Sequence, residues 1–78
     1  MTKLSRLAIN DEGFVFDPST GESFTVNGTG LDILKDLKED RPQEEIADTL
    51  ARRYGVDLRD AERDVADFTD RLRALQLI

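Results

Sequence analysis

The sequence predicts a single α+β domain in which a three-stranded antiparallel sheet is followed by three helices. Short apolar runs separated by turn residues fill the first third of the chain. At Asn27 the apolar spacing changes from alternation to intervals of three and four, which is typical of helices. A glycine and a capping aspartate, Gly55 and Asp57, then divide the second half. A chain of 78 residues makes one small domain, with residues 1–6 expected to be flexible.

Two turns separate the predicted strands. Residues 10–13 read Asn-Asp-Glu-Gly and residues 18–21 read Pro-Ser-Thr-Gly, which are sequences that favour hairpin turns. The strands therefore cover residues 7–10, 14–17 and 22–26. In the third strand Phe24 and Val26 are predicted to face inward, while Ser23 and Thr25 face outward.

The first helix is predicted to begin at Asn27, whose side chain can cap it. Its apolar stripe consists of Leu31, Ile33, Leu34 and Leu37. Gly28 and Gly30 allow two interpretations. Glycine inside a helix costs about 0.5 to 1 kcal/mol relative to alanine. We therefore favour placing both before the regular helix, and the alternative is that another group approaches the backbone there.

Helices two and three form a tight hairpin. The second opens at Pro42, with its buried face predicted to be Ile46, Ala47, Leu50, Ala51 and Tyr54. The third is predicted to bury one face made of Leu58, Ala61, Val65, Phe68, Leu72 and Leu75. The apolar end, Leu77 and Ile78, is expected to fold back onto the sheet.

Composition excludes several classes of function. The chain has neither cysteine nor histidine, so it lacks the usual zinc ligands and the usual general base. Its Gly28-Thr29-Gly30 lacks the third glycine of a dinucleotide fingerprint. The net charge of −6 disfavours nucleic acid, and no apolar run is long enough for a membrane span or a signal peptide. We expect a cytoplasmic protein that is not an enzyme and holds no cofactor or metal.

The order of elements is that of a small winged helix-turn-helix with the sheet first. Residues 16–27, then Gly30, Asp64-Val65, Phe68 and Leu72 with the closing Leu77-Ile78, resemble the PqqD family. Its members are recognition elements for ribosomally made, post-translationally modified peptides (RiPPs), and PQQ biosynthesis is one of their settings. The resemblance implies a non-enzymatic chaperone that binds the leader of a precursor peptide and presents it to a modifying enzyme, such as a radical SAM protein.

In such domains the leader adds as a further strand on the third strand, beside the third helix. An open strand edge suits this role, because its free backbone groups can pair with an extended peptide. Carried onto this chain, the peptide-binding residues are Glu22, Ser23, Phe24, Thr25 and Val26 on the strand and Asp64, Phe68, Arg71 and Leu72 on the helix. Phe68 and Leu72 also suit the core, so Ser23, Thr25, Asp64 and Arg71 are the more informative candidates.

Two alternatives stay open at this point. A winged helix that binds DNA would need basic residues along one helix, whereas the arginines here are interrupted by acidic residues. An adaptor or dimerisation module would pair the same strand edge with itself. The expected state is a monomer or a weak homodimer.

Overall fold

A computed structural model describes residues 3–78 and, for side chains, residues 4–78. It confirms the predicted fold class, a three-stranded antiparallel sheet followed by three helices. One short 3-10 helix precedes the sheet. The elements in chain order are the 3-10 helix Lys3–Arg6, β1 Ala8–Ile9, β2 Phe14–Asp17, β3 Glu22–Thr25, α1 Gly28–Lys38, α2 Gln43–Tyr54 and α3 Leu58–Ala74.

The two predicted turns connect the strands in the order β1-β2-β3. Gly13 and Gly21 close these turns with φ angles of 89° and 76°, in a region that side chains disfavour. Asn10 Oδ1 accepts a hydrogen bond from the backbone N–H of Phe14 in the first turn, at 2.9 Å. Because β2 lies in the centre, β3 is an edge strand.

The hydrophobic core consists of two clusters. The first lies between the sheet, α1 and the end of α3, and contains Leu4, Leu7, Val15, Val26, Leu31, Leu34, Leu72 and Leu77. The second joins α1 to the α2–α3 hairpin and contains Ile33, Ile46, Ala47, Leu50, Ala61 and Val65. Phe68 and Leu37 pack against both clusters, so they connect the sheet half of the domain to the helical half.

Asn27 caps α1 as predicted, accepting a hydrogen bond from Gly30 N at 2.8 Å. The favoured interpretation of the two glycines is wrong, because α1 already begins at Gly28. The alternative holds for Gly30: a Cβ atom there would lie 3.0 Å from Phe68 Cε1. Gly30 therefore allows the first turn of α1 to approach α3 closely.

The turn between α2 and α3 has the predicted conformation. Gly55 ends α2 in the left-handed conformation with φ 64°, and the Asp57 side chain accepts from Arg59 N at 3.1 Å. The predicted buried faces were wrong at three positions. Tyr54 is 46 % exposed because its hydroxyl reaches the Asp32 carboxylate on the surface of α1. The other two, Leu58 and Leu75, are exposed at the first residue and the C-cap of α3. Of the closing pair, Leu77 is buried in the first core cluster as expected, whereas Ile78 is 39 % exposed.

Leu4 and Thr69 are among the buried residues that were not predicted. Leu4 is 1 % exposed within the first core cluster, and residues 4–6 lie in the 3-10 helix. Residues 1 and 2 lie outside the described residues, and the expected flexibility of residues 1–6 stays a prediction. Thr69 is also 1 % exposed, and its hydroxyl donates to Ala66 O at 2.9 Å, which satisfies the polar group inside the helix.

Candidate functional site

The outer edge of β3 carries backbone groups that the sheet does not use. Val26 N donates to Gly13 O at 2.9 Å. The register places Phe24 opposite Val15 and Thr25 opposite Phe14. In an antiparallel pair, successive residues direct both backbone groups alternately to one side and the other. Phe24 therefore bonds β2, whereas Ser23 and Thr25 direct their N–H and C=O groups to the open edge.

We call the surface between this edge and α3, which Arg71 crosses to reach Thr25, the groove. We call the surface depression at its Asn27 end the Asn27 pocket; its volume is about 310 Å³, and its lining includes Asn27, Gly30, Ile33, Asp64, Asp67 and Phe68. We call the depression at the opposite end the Glu22 pocket; its volume is about 200 Å³, and its lining includes Asp17, Glu22, Phe24, Leu75 and Leu77. The two pockets supply places for side chains along the same edge that offers backbone groups.

Arg71 reaches across the groove from α3 to β3. Its Nη2 atom lies 3.5 Å from Thr25 O, one of the carbonyl groups directed to the open edge. Its guanidinium carbon lies 5.7 Å from the centroid of the Phe24 ring, a distance typical of a cation–π contact. Arg71 also lines the Asn27 pocket. A cation therefore stands beside the strand edge.

The Glu22 pocket is anionic at neutral pH. Asp17 is buried, and its Oδ1 atom accepts from the Ser19 hydroxyl at 2.6 Å and from Ser19 N at 2.9 Å. These hydrogen bonds favour the charged form and lower the pKa of Asp17 below its ordinary value. Within the described residues, no cluster of acidic side chains has the arrangement of a metal site.

The structure brings most of the sequence-predicted site residues to this groove. Ser23 and Thr25 lie on the edge, Glu22 and Phe24 at the Glu22 pocket, and Asp64, Phe68 and Arg71 at the Asn27 pocket. Leu72 is 0 % exposed and Val26 is buried, so both belong to the first core cluster and offer the groove little surface.

Sequence reasoning missed several residues of the Asn27 pocket, namely Asn27, Thr29, Gly30, Ile33 and Asp67. Asp67 was detectable, because intervals of three and four from Asp64 along a helix lead through Asp67 and Phe68 to Arg71 on one face. The others come from α1 and its cap, and only the packing of α1 on α3 brings them to the groove.

Comparison with protein families identifies the group to which this fold and groove belong. The family model described as coenzyme PQQ synthesis protein D (PqqD) matches residues 12–78, which is most of the chain. The chain belongs to the PqqD family. The matched range begins in the turn before β2 and includes every residue of the groove. The comparison with curated proteins gave no match.

Two solved structures are similar to this PqqD-family chain over most of its length. One is described as TbiB1 in complex with the TbiA(beta) leader peptide; it is 31 % identical, covers 99 % of this chain and 93 % of its own, and has a TM-score of 0.82. The other is described as lasso peptide synthetase B1 complexed with the leader peptide; it is 29 % identical, with coverages of 91 % and 85 % and a TM-score of 0.78. Both similar proteins are thus described with a leader peptide bound.

Across residues 3–78, no helix of this PqqD-family chain combines the length and the apolar character that crossing a bilayer requires.

Proposed function

We propose that this domain binds the leader segment of a ribosomally made precursor peptide by strand addition to β3 and presents the peptide to a modifying enzyme. The observation that carries the proposal is the free edge at Ser23 and Thr25 beside the groove. The similar structures described with leader peptides support it. An extended peptide would become the fourth strand of the sheet, with alternate side chains over the groove.

Backbone pairing and pockets have different roles in this proposal. Each backbone hydrogen bond contributes a net of about 0.5 to 1.5 kcal/mol, so the groups of Ser23 and Thr25 supply a few kcal/mol in total. A complex with a Kd near 1 μM needs about 8 kcal/mol. The remainder must come from side chains of the leader in the Asn27 and Glu22 pockets. Backbone pairing thus requires the leader to be extended, and the pockets determine which leader sequences are preferred.

We propose that the domain does not catalyse the modification. Both pockets are open depressions, and neither would exclude water from a reacting group. The chemistry therefore belongs to a partner enzyme, for which a radical SAM protein is one candidate. The predicted cytoplasmic location and the predicted monomer or weak homodimer stay predictions.

The outer face of the sheet is the surface that we propose for contact with that enzyme. Its exposed strand positions are Ala8, Phe14, Phe16, Ser23 and Thr25, and none is charged, although 36 % of the chain is charged. Phe14 is 52 % exposed and Phe16 is 42 % exposed. Interface centres are typically depleted in charge and enriched in aromatic residues. A leader on β3 would continue this same face, so an enzyme docked there would contact domain and leader together.

The DNA-binding alternative finds no support in the described surface. The exposed positions of α3 include Glu62, Asp64, Asp67 and Asp70 between its arginines. In a winged helix that binds DNA, α3 would have to enter a groove of the DNA. Its carboxylates would repel the phosphate backbone there. Pairing of β3 with a second copy uses the same edge as the leader and would compete with it.

Titration of isotope-labelled protein with the leader of its precursor peptide tests the proposal. We expect amide shifts in residues 22–26 and 64–71, with α2 unaffected. The control uses two N-methylated leaders, whose methyl groups occupy the two alternate sets of residues. Methylation removes the N–H groups that face β3 in one leader and those that face solvent in the other, so only the first should lose affinity. Equal affinities, or shifts confined to α2, would contradict strand addition.

A further inference from the structure

Among the described residues, Arg71 is the one basic group that lines the groove between β3 and α3. We infer that Arg71 selects an acidic side chain in the peptide that crosses it. The inference rests on the proposed function and adds a chemical class to it: the leader carries an aspartate or glutamate facing the guanidinium. Its basis is the position of Arg71, its lack of a carboxylate partner among those residues and the geometry of an added strand.

The guanidinium lies against two groups of β3. Nη2 lies 3.5 Å from Thr25 O, and the Phe24 ring faces the guanidinium at 5.7 Å. A guanidinium has five N–H donors in a planar fork, and only one of them is directed at Thr25 O. The remaining donors are available to a ligand in the groove. A fork positioned in this way can bind a carboxylate through two parallel hydrogen bonds.

Arg71 is also unneutralised within the described residues. Five other arginines form ion pairs with carboxylates: Arg41, Arg52, Arg53, Arg63 and Arg73. Asp67 lies four residues before Arg71 on the same helix, a spacing that favours an ion pair. The structure instead directs Arg71 across the groove to Thr25. The charge is thus available where a peptide would lie.

The geometry of an added strand identifies the residue that Arg71 would contact. A peptide residue that bonds Thr25 lies opposite it and points its side chain to the outer face of the sheet, as Thr25 does. The two neighbours of that residue in the peptide point to the other face, where Phe24 and Arg71 lie. The acidic side chain is therefore expected directly before or directly after the residue that bonds Thr25.

The other ionisable groups of the groove confine an acid to this place. Asp64 and Asp67 line the Asn27 pocket, and Asp17 and Glu22 line the Glu22 pocket. All four are acidic, and they repel a peptide carboxylate at either end of the groove. Backbone pairing alone does not specify register. One acidic side chain opposite Arg71 would fix the register of the leader on β3.

A display library of random 12-residue peptides tests this inference even where the sequence of the precursor is not known. It is selected in parallel on the parent protein, on Arg71→Glu and on the matched control Arg73→Glu. Arg73 lies on the same helix and pairs with Asp70 at 3.0 Å, and it does not line the groove. We expect one position enriched in Asp and Glu on the parent and on the Arg73 variant. On Arg71→Glu the same position should become enriched in Lys and Arg.

Binding constants complete the test. Replacing the enriched acid by its amide should weaken binding to the parent about tenfold, as expected for a charge-assisted hydrogen bond, and should not weaken binding to Arg71→Gln. Enriched peptides that shift the amides of β3 but show no dependence on residue 71 would overturn the inference and leave the proposed function intact. A library that yields no peptide bound at β3 would instead count against the proposed function itself. Circular dichroism verifies that each variant is folded.

Discussion

Phe68 Cε1 lies 3.0 Å from the position that a Cβ atom on Gly30 would occupy. This contact joins the first turn of α1 to the wall of the Asn27 pocket. Asn27 Oδ1, which caps the helix, and Val26 Cβ lie 3.2 Å from the same position. A methyl group at residue 30 must therefore displace a side chain on the groove, a helix cap or a core residue.

Gly30→Ala is expected to lower the unfolding free energy relative to Gly28→Ala by about 1 kcal/mol or more. Alanine gains up to about 1 kcal/mol of helix propensity at either glycine. At residue 28 nothing lies within 4 Å of the new methyl group, whereas at residue 30 the methyl group displaces Phe68. Urea denaturation of both variants measures the difference. Equal unfolding free energies would mean that α1 and α3 can adjust to the methyl group at residue 30 without loss of stability.

The register of β3 separates two proline variants. Thr25→Pro removes an N–H that faces the open edge, and an edge strand tolerates this change. The variant should stay folded and, because the lost bond also misaligns its neighbours in the ladder, lose about tenfold or more in leader affinity. Phe24→Pro removes an N–H that bonds β2, together with an aromatic ring packed on the first core cluster.

Phe24→Pro is therefore expected to be less stable than Thr25→Pro. Thermal melts and titrations of both proteins make the comparison. If Thr25→Pro binds the leader as the parent does, the peptide does not use this edge.

Phe68 and Leu72 lie one turn apart on α3 and are expected to behave differently. Leu72→Ala should cost about 2 to 5 kcal/mol of unfolding free energy, because Leu72 is fully buried. Its folded fraction should bind the leader normally. Phe68→Ala should cost somewhat less, about 2 to 4 kcal/mol, because the ring is only partly buried, and it should also weaken binding through the Asn27 pocket.

Stability from urea curves and affinity from calorimetry, both at a temperature where each variant is folded, separate the two effects. Unchanged affinity in Phe68→Ala would remove its ring from the peptide-binding surface.

Local chemistry made much of this fold predictable. The cap at Asn27, the left-handed Gly55 and the alternation around Phe24 depend on neighbours within a few residues of the chain. Helical periodicity identifies the buried face of a helix but not where its neighbours end, so Leu58 and Leu75 were wrongly placed in the core. The contact of Arg71 with Thr25 spans 46 residues and depends on how α3 crosses the sheet. The sequence predicted both residues as part of the site, but not this contact.

Asp17 should make the unfolding free energy of the domain depend on pH. Its hydrogen bonds from Ser19 lower the pKa of its carboxyl group below the ordinary value of about 3.9, so the native state binds fewer protons there than the unfolded chain does. The stability that Asp17 contributes is therefore present above about pH 4 and is lost as the pH falls through the lowered native pKa.

Asp17→Asn removes this titration and leaves an amide oxygen to accept from Ser19 N. The difference in urea midpoint between the parent and Asp17→Asn should therefore become smaller as the pH is lowered from 6 to 3. Ser19→Ala provides an intermediate case, because it removes the hydroxyl donor and brings the pKa of Asp17 closer to its ordinary value. A carboxyl titration of Asp17 followed by NMR gives the pKa directly. A midpoint at or above the ordinary value, or a difference that stays constant with pH, would show that the turn at Ser19 does not favour the charged form.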